Sequence, residues 1–275
     1  MEFLNSLEVL NHLLVFNTLT ARILAGIFII LFTSSIGSFL NVVIYRVPIK
    51  KSIVKPGSYC PKCKNSIKWY HNIPVLSYIF LKGRCAYCGE PYSYRYCLVE
   101  FLTAFLAILF FIKNGYAIDM QYIKFLTFMM FGLVIIFIDF DHKLILDVHN
   151  YPLIALGLIF SLLGTIPFWQ SVAGAVIGFV IFYLIALIYY LTKKADGLGG
   201  GDIKFITAVG AFTGIAGTIF VIFFSSFLAI IASIAVRKGK QEIAFGPYLV
   251  IAALLYFYLG DMIIHWYLGL FLNNI

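Results

Sequence analysis

Acidic residues in two short stretches of the sequence could do catalytic chemistry. Asp139, Asp141 and Asp147 lie in IDFDHKLILD, and Asp202 ends the stretch GLGGGD. Acids that adjoin apolar segments at membrane depth are rare and are treated as functional by default. Two carboxyl groups that share one proton can activate a water molecule and protonate an amide leaving group. Asp139 and Asp202 directly adjoin apolar runs and are the candidates for such a pair.

Three glycines, Gly199 to Gly201, precede Asp202 directly. Successive glycines permit positive φ and let another backbone pass close by. This favours access for an extended peptide strand beside Asp202. The alternative is that Asp202 is an ordinary helix N-cap, although such a cap does not require three glycines before it. Asp139 fits capping badly, because the dipole at a predicted helix C-terminus disfavours a negative charge.

Four cysteines form two pairs with metal-ligand spacing. Cys60 and Cys63 lie in CPKC, and Cys85 and Cys88 lie in CAYC after 21 intervening residues. Two such turns complete a tetrahedral zinc site with four thiolate ligands, and this site would be structural because no position is left for water or substrate. Two disulfides are the alternative, which a reducing cytoplasm disfavours.

The elements that must position these residues are apolar. The chain of 275 residues is 62% hydrophobic and 12% charged, which is about half the usual charged fraction of roughly 25%. These values predict an all-α polytopic membrane protein with about eight transmembrane helices. The candidate spans are 23–45, 98–112, 121–138, 151–166, 171–192, 203–213, 215–236 and 247–272.

The basic residues predict the orientation of these spans. Seventeen of the 20 Lys and Arg lie in alternate loops, and only Arg22, Lys113 and Lys124 lie on the other side. The positive-inside rule places these loops in the cytoplasm, and this membrane-flanking bias argues against nucleic-acid binding. We expect three regions: 1–45, an external N-terminus without a cleaved leader and the first span; 46–97, a cytoplasmic zinc-binding loop; and 98–275, a transmembrane peptidase domain.

Several motifs together resemble one family. GLGGGDIK is similar to the G-x-G-D signature of intramembrane aspartic proteases, and with IDFDHKLILD it resembles the type IV prepilin leader peptidases. The paired CxxC loop agrees with this resemblance, which runs from about residue 34 to 255. Three further stretches also agree, namely GSFLNVVIYRVP (37–48), RYCLVEFLT (95–103) and FGPYLVIAA (245–253).

The resemblance implies roles for individual residues. Asp139 and Asp202 match the catalytic pair, and the four cysteines match the zinc ligands. Asp141 and Asp147 match accompanying acids, and we expect Gly199, Gly201 and Lys204 to support the site. Members of this kind cleave prepilins or pseudopilins of type IV pilus and type II secretion systems at the bacterial inner membrane. They also methylate the new N-terminus with S-adenosylmethionine, and the peptidase needs no catalytic metal.

Two other classes of function remain open from the residues alone. Asp139 and Asp141 could chelate Mg²⁺ in a lipid-head-group transferase, because carboxylates are hard oxygen ligands. Buried acids could also relay cations in a transporter. A transporter of that kind is expected to repeat a broken helix in its two halves, and the sequence shows no such repeat.

Overall fold

The computed structural model describes residues 14–195, 197–236 and 244–272, and these residues are mainly α-helical. They form two compact units that divide between residues 117 and 118. The predicted external segment before residue 14 lies outside the described residues. The same holds for the basic residues Arg237, Lys238 and Lys240 used in the charge count.

The unit before residue 118 is built on two long helices. Helix α1 (Leu19–Arg46) begins where the Thr18 hydroxyl accepts a hydrogen bond from the N–H of Ala21. Helix α3 (Arg95–Lys113) packs against α1 so closely that a Cβ added at Gly37 would lie 2.8 Å from the Cα of Glu100. A short helix α2 (Leu76–Phe80) lies in the loop between them, and strands β1 (Leu14–Val15) and β2 (Ala117–Ile118) pair near the ends of the unit.

The described part of the unit after residue 117 contains five helices around an aromatic core. The helices are α4 (Met120–His142), α5 (Asp147–Leu162), α6 (Phe168–Lys193), α7 (Gly200–Val236) and α8 (Gly246–Leu272). Phe128 contacts the rings of Phe205 and Phe212, and all three are fully buried. This packing fixes the N-terminal half of α7, which carries Asp202, against α4, which carries Asp139.

Helices α6 and α7 touch through backbone at a seam of glycines. A Cβ added at Gly210 would lie 2.3 Å from the carbonyl of Gly174, so neither position has room for a side chain. The Ser171 hydroxyl donates to the carbonyl of Ala211 at 2.7 Å across the same seam. Small residues allow such close approach between membrane helices.

Helix occupies all eight predicted spans, which confirms the predicted fold class. Within the described residues, five helices are long and apolar enough to cross a membrane, namely α1, α3, α4, α6 and α7. The predicted spans 203–213 and 215–236 are the two halves of α7, which breaks at Gly214 with φ 70° and ψ −168°. Helix α5 differs from the predicted span 151–166, because Gly164 takes a positive φ after Leu162 and the polar start at Asp147 is already helical.

Candidate active site and metal centre

Asp139 lies in the last turn of α4, with a buried side chain that meets the start of α8. Its Oδ2 accepts a hydrogen bond from the backbone N–H of Gly246 at 2.9 Å. The first N–H groups of a helix have no partner within the helix and carry a partial positive charge. The N-terminus of α8 therefore compensates for the unfavourable position of an acid at the C-terminus of α4.

Asp202 lies in the first turn of α7, which begins at Gly200. Its carboxyl group accepts a hydrogen bond from the backbone N–H of Gly199, as the third helical residue does in a capping box. The capping alternative is therefore partly right, although Asp202 is inside the helix and is not its N-cap. The charge of Asp139 also acts on Asp202, so the fold brings the two predicted catalytic residues together.

Ile145, in the loop after α4, packs between the two helix starts. A Cβ added at Gly201 would lie 2.7 Å from the carbonyl oxygen of Ile145, and one added at Gly246 would lie 3.0 Å from its Cδ1. Gly201 is therefore required by the protein's own loop. Gly200 faces open space, and the positive-φ glycines of the described residues do not include Gly199, Gly200 or Gly201. A requirement for positive φ therefore does not explain the three consecutive glycines.

A second contact holds the same turn of α7. The side chain of Asn150 is fully buried, and its Nδ2 donates to the carbonyl of Gly201 at 3.1 Å. Near the surface, Lys204 donates to both carboxylate oxygens of Asp147 at 2.7 and 2.8 Å. The two predicted supporting residues Asp147 and Lys204 are therefore paired with each other. Asp141 is exposed at the end of α4.

Sequence reasoning assigned no role to Ile145, Asn150 or Gly246. Gly246 had a usable signal, because a Gly-Pro pair at the start of an apolar run is typical of a helix N-terminus. Asn150 and Ile145 had no such signal in the sequence, since each contacts a residue that is about 50 or more positions away along the chain.

The four cysteines form one cluster in the unit before residue 118. Their Sγ atoms all lie within 4.8 Å of one another. The two turns match: the N–H of Cys60 donates to the carbonyl of Asn65 at 2.9 Å, and the N–H of Cys85 donates to that of Glu90 at 2.8 Å. An ion pair between Lys62 and Glu90 connects the two turns.

The spacing of the sulfur atoms suits a tetrahedral metal ion. The distance is 3.9 Å between Cys60 and Cys88 and 4.0 Å between Cys63 and Cys85. Zn–S bonds of about 2.3 Å predict sulfur atoms ~3.8 Å apart. Backbone N–H groups of Cys63 and Lys62 lower the pKa of the Cys60 thiol, whereas desolvation and hydrogen bonds with the other three thiols raise the pKa of Cys88, so Cys60 forms the metal-binding thiolate more readily. The cluster could hold a metal ion.

Comparison with known proteins gives consistent matches along the chain. Residues 31–114 match the bacterial peptidase A24 N-terminal domain, and residues 126–234 match the type IV leader peptidase family. A Neisseria gonorrhoeae protein named prepilin leader peptidase/N-methyltransferase is 36% identical over 262 residues, or 85% of this chain and 91% of the relative. No solved structure gives a significant match.

Two further relatives carry the same name. The proteins of Aeromonas salmonicida and Legionella pneumophila are each 34% identical to this chain, over 272 and 271 residues. These alignments cover 88% and 87% of this chain and 93% of each relative. The family matches include all four cysteines and both candidate catalytic acids. The chain therefore belongs to the type IV leader peptidase family.

Proposed function

We propose that this protein is a membrane aspartic endopeptidase that removes the basic leader from type IV prepilins or pseudopilins. Asp139 and Asp202 are its catalytic pair. The observation that carries the proposal is the convergence of these two carboxyl groups, each beside the glycine-led N-terminus of a helix. The substrate class comes from the names of the relatives. The distribution of basic residues supports an active site at the cytoplasmic face of the bacterial inner membrane.

In the proposed reaction the two carboxyl groups hold one proton between them. The ionised carboxyl takes a proton from a water molecule, whose oxygen attacks the carbonyl carbon of the scissile bond. The other carboxyl donates its proton to the carbonyl oxygen, which gives a tetrahedral diol. When the diol collapses, the carboxyl that took the water's proton donates it to the amide nitrogen, one hydroxyl returns its proton to the other carboxylate, and the C–N bond breaks. The products are the leader's new carboxyl terminus and a free amine.

The surrounding contacts hold the two carboxyl groups in position for this reaction. The N–H groups of Gly246 and Gly199 orient the two carboxyl groups, because each donates a hydrogen bond to one of them. Ile145 and Asn150 hold the turn that carries Asp202. Carboxyl groups fixed in this way need little rearrangement when the reaction begins.

The prepilin resemblance also fits the position of the pair. Such substrates carry a basic leader that ends in Gly just before an apolar helix. That helix can lie in the bilayer while the leader's Lys and Arg stay in the cytoplasm. The scissile bond must leave helical geometry to be attacked, and Gly before it lowers that cost.

A structural zinc ion in the cysteine cluster is part of the proposal. Cys60, Cys63, Cys85 and Cys88 would supply four thiolates, which leave no open position for substrate. The ion would fold a loop that has no core of its own. Asp139 and Asp141 lie in different settings, because the Asp139 side chain is buried and accepts a hydrogen bond from Gly246, whereas Asp141 is exposed.

We also propose that the new amine is methylated, as the names of the relatives suggest. S-adenosylmethionine would supply the methyl group. A cavity of about 270 Å³ beside α1 is one place to consider for this donor, but its lining contains no acidic residue. Its Arg46 is already bound to the carbonyls of Ser52, Pro56 and Gly57. The cavity therefore does not fit S-adenosylmethionine, which carries an ammonium group.

The test is incubation of the purified full-length protein with a synthetic prepilin N-terminus, followed by mass spectrometry. We expect a product that lacks the leader and, with S-adenosylmethionine present, a product heavier by one methyl group. Asp202→Asn should leave the peptide uncut. Asp141→Asn is the matched control, because Asp141 is exposed at the end of α4, and it should retain measurable activity. Cleavage by Asp202→Asn at the wild-type rate would contradict the aspartic mechanism.

A further inference from the structure

The segment between the two cysteine turns presents an apolar face to the outside. Its exposed apolar side chains include Trp69 and, on α2, Leu76, Ile79 and Phe80. Their exposed fractions are 79%, 48%, 61% and 79%, in that order. Residues three and four apart lie on the same side of a helix, so the three α2 residues form one continuous stripe.

The opposite side of α2 is held in place by Tyr78. A Cβ added at Gly83 would lie 2.9 Å from the ring of Tyr78, so that ring lies directly on the backbone. The same ring packs edge-to-face on Tyr92, with centroids 5.3 Å apart. The contacts of Tyr78 therefore fix the helix with its apolar stripe turned outward.

Helix α2 is also tied to the start of a membrane span. The N–H of Val75 donates to Oε2 of Glu100 at 2.8 Å. Glu100 lies in the second turn of α3, which begins at Arg95 and is one of the candidate spans. At 1.5 Å of rise per residue, this point is about 8 Å along α3. The apolar stripe is thus held close to the level where α3 enters the bilayer.

The charges of the loop that carries the stripe favour an anionic surface. The loop from Arg46 to Arg95 contains ten Lys and Arg and a single acidic residue, Glu90. That acid is paired with Lys62. Basic segments next to membrane spans are attracted to anionic lipids, and Trp is enriched at the membrane–water interface.

We propose that Trp69 and the stripe of α2 insert into the interface of an anionic membrane surface. The cysteine-bearing loop then lies on the bilayer instead of standing away from it in water. Apolar contact supplies the insertion, and the surrounding Lys and Arg supply attraction to the headgroups. This inference is independent of the proposed peptidase reaction.

The experiment uses Trp fluorescence in the full-length protein, reconstituted at one copy per nanodisc. The chain has three Trp residues, so Trp169→Phe with Trp266→Phe leaves Trp69 as the only probe. The discs contain either phosphatidylcholine alone or an equimolar mixture with phosphatidylglycerol, with bromine on shallow acyl carbons. In the anionic discs we expect bromine to quench Trp69 about twofold, with weaker quenching in phosphatidylcholine alone.

A second probe reports on the helix itself. Phe80→Trp, with all three native Trp replaced by Phe, should show the same quenching. Tyr87→Trp in that background compares depth, because Tyr87 lies in the second cysteine turn and its ring packs on His71, two residues from Trp69. Bromine should quench it less than it quenches Phe80→Trp. The Ile79→Asp change should reduce bromine quenching of Trp69.

Four results would overturn the proposal. The first is that neither probe is quenched by bromine in anionic discs. The second is equal quenching in both lipid compositions, which would remove the anionic surface as the partner. The third is quenching that requires two copies per disc, which would identify the stripe as a contact between copies. The fourth is quenching that requires added prepilin peptide, which would assign the stripe to the substrate helix.

Discussion

The cysteine cluster and the acid pair are assembled over very different distances along the chain. The cluster lies within residues 60–88 and consists of two matching turns with the same backbone hydrogen bonds. The acid pair needs the end of α4 and the starts of α7 and α8, and the bond that orients Asp139 joins residues 107 positions apart. The cluster is a local structure, whereas the acid pair depends on the packing of helices.

The two regions should therefore respond differently to substitution. The four cysteines depend on their own two turns, so loss of a cysteine should unfold the loop that contains them. The acid pair depends on glycine contacts and on one buried amide, so small changes at a distance should alter its geometry.

Removing either acid should abolish cleavage. Asp139→Asn and Asp202→Asn are each expected to lower kcat at least about a thousandfold, and the double variant should be no worse, because the two residues act as one unit. The measurement is cleavage of a synthetic prepilin peptide by mass spectrometry. A double variant that is much slower than both single variants would mean that the residues act separately.

Removing a cysteine ligand should release metal and destabilise the loop. Cys60→Ser is expected to reduce the zinc content from about one ion per chain to near zero. The loop should then be cut faster by an added protease, while peptide cleavage per folded molecule changes far less than in the aspartate variants. Metal analysis with limited proteolysis checks both points. This expectation would be contradicted if metal-free wild-type protein were as stable as the zinc-bound protein.

Gly200 and Gly201 form a matched pair for testing the contact with Ile145. Gly201→Ala should destabilise the protein by about 1–3 kcal/mol, because the new methyl group meets the Ile145 backbone. Gly200→Ala faces open space and should be neutral or stabilising by up to about 1 kcal/mol. Thermal unfolding and kcat should be measured for both variants. Equal behaviour would show that the Ile145 contact does not restrict this turn.

Asn150→Ala removes the donor to the Gly201 carbonyl. We expect a loss of about 1 kcal/mol of stability, because the buried carbonyl loses its side-chain partner. If Asn150 positions Asp202, kcat should fall while KM changes little. Ser161→Ala is the control, since Ser161 is another buried polar residue of α5 whose hydroxyl donates within its own helix. A purely structural role would lower stability without changing kcat per folded molecule.

The Asp147–Lys204 pair should matter least. Lys204→Ala is expected to change the unfolding temperature little, because water and salt screen an exposed ion pair. Thermal unfolding at low and high salt checks this expectation. An effect on activity as large as that of Asn150→Ala would show that the surface pair also sets the position of α7.

The helical fold could be predicted because hydropathy acts locally. Each predicted span contains helix, and even the boundary at Gly214 was visible as a glycine between two apolar runs. The start of α5 was missed, because polar residues from Asp147 to Asn150 hide a helix that tertiary contacts stabilise. Hydropathy cannot detect a polar side chain that is buried against another helix.

The candidate site was predictable only in part for a similar reason. The sequence pointed to Asp139 and Asp202 as a pair, and the fold brings them together. The glycines before Asp202 were interpreted as access for a substrate strand, whereas Gly201 is tight against Ile145. Glycine spacing indicates that something approaches closely, but it does not identify what approaches.

The hydrogen bond between Gly246 and Asp139 has a consequence for biosynthesis. Asp139 and Asp202 both leave the ribosome before α8 is made, so a growing chain holds both acids before the N–H that orients one of them exists. The final arrangement of the pair must await the insertion of α8. Under the proposed mechanism, a nascent chain is kept from peptide cleavage until its synthesis has passed Gly246.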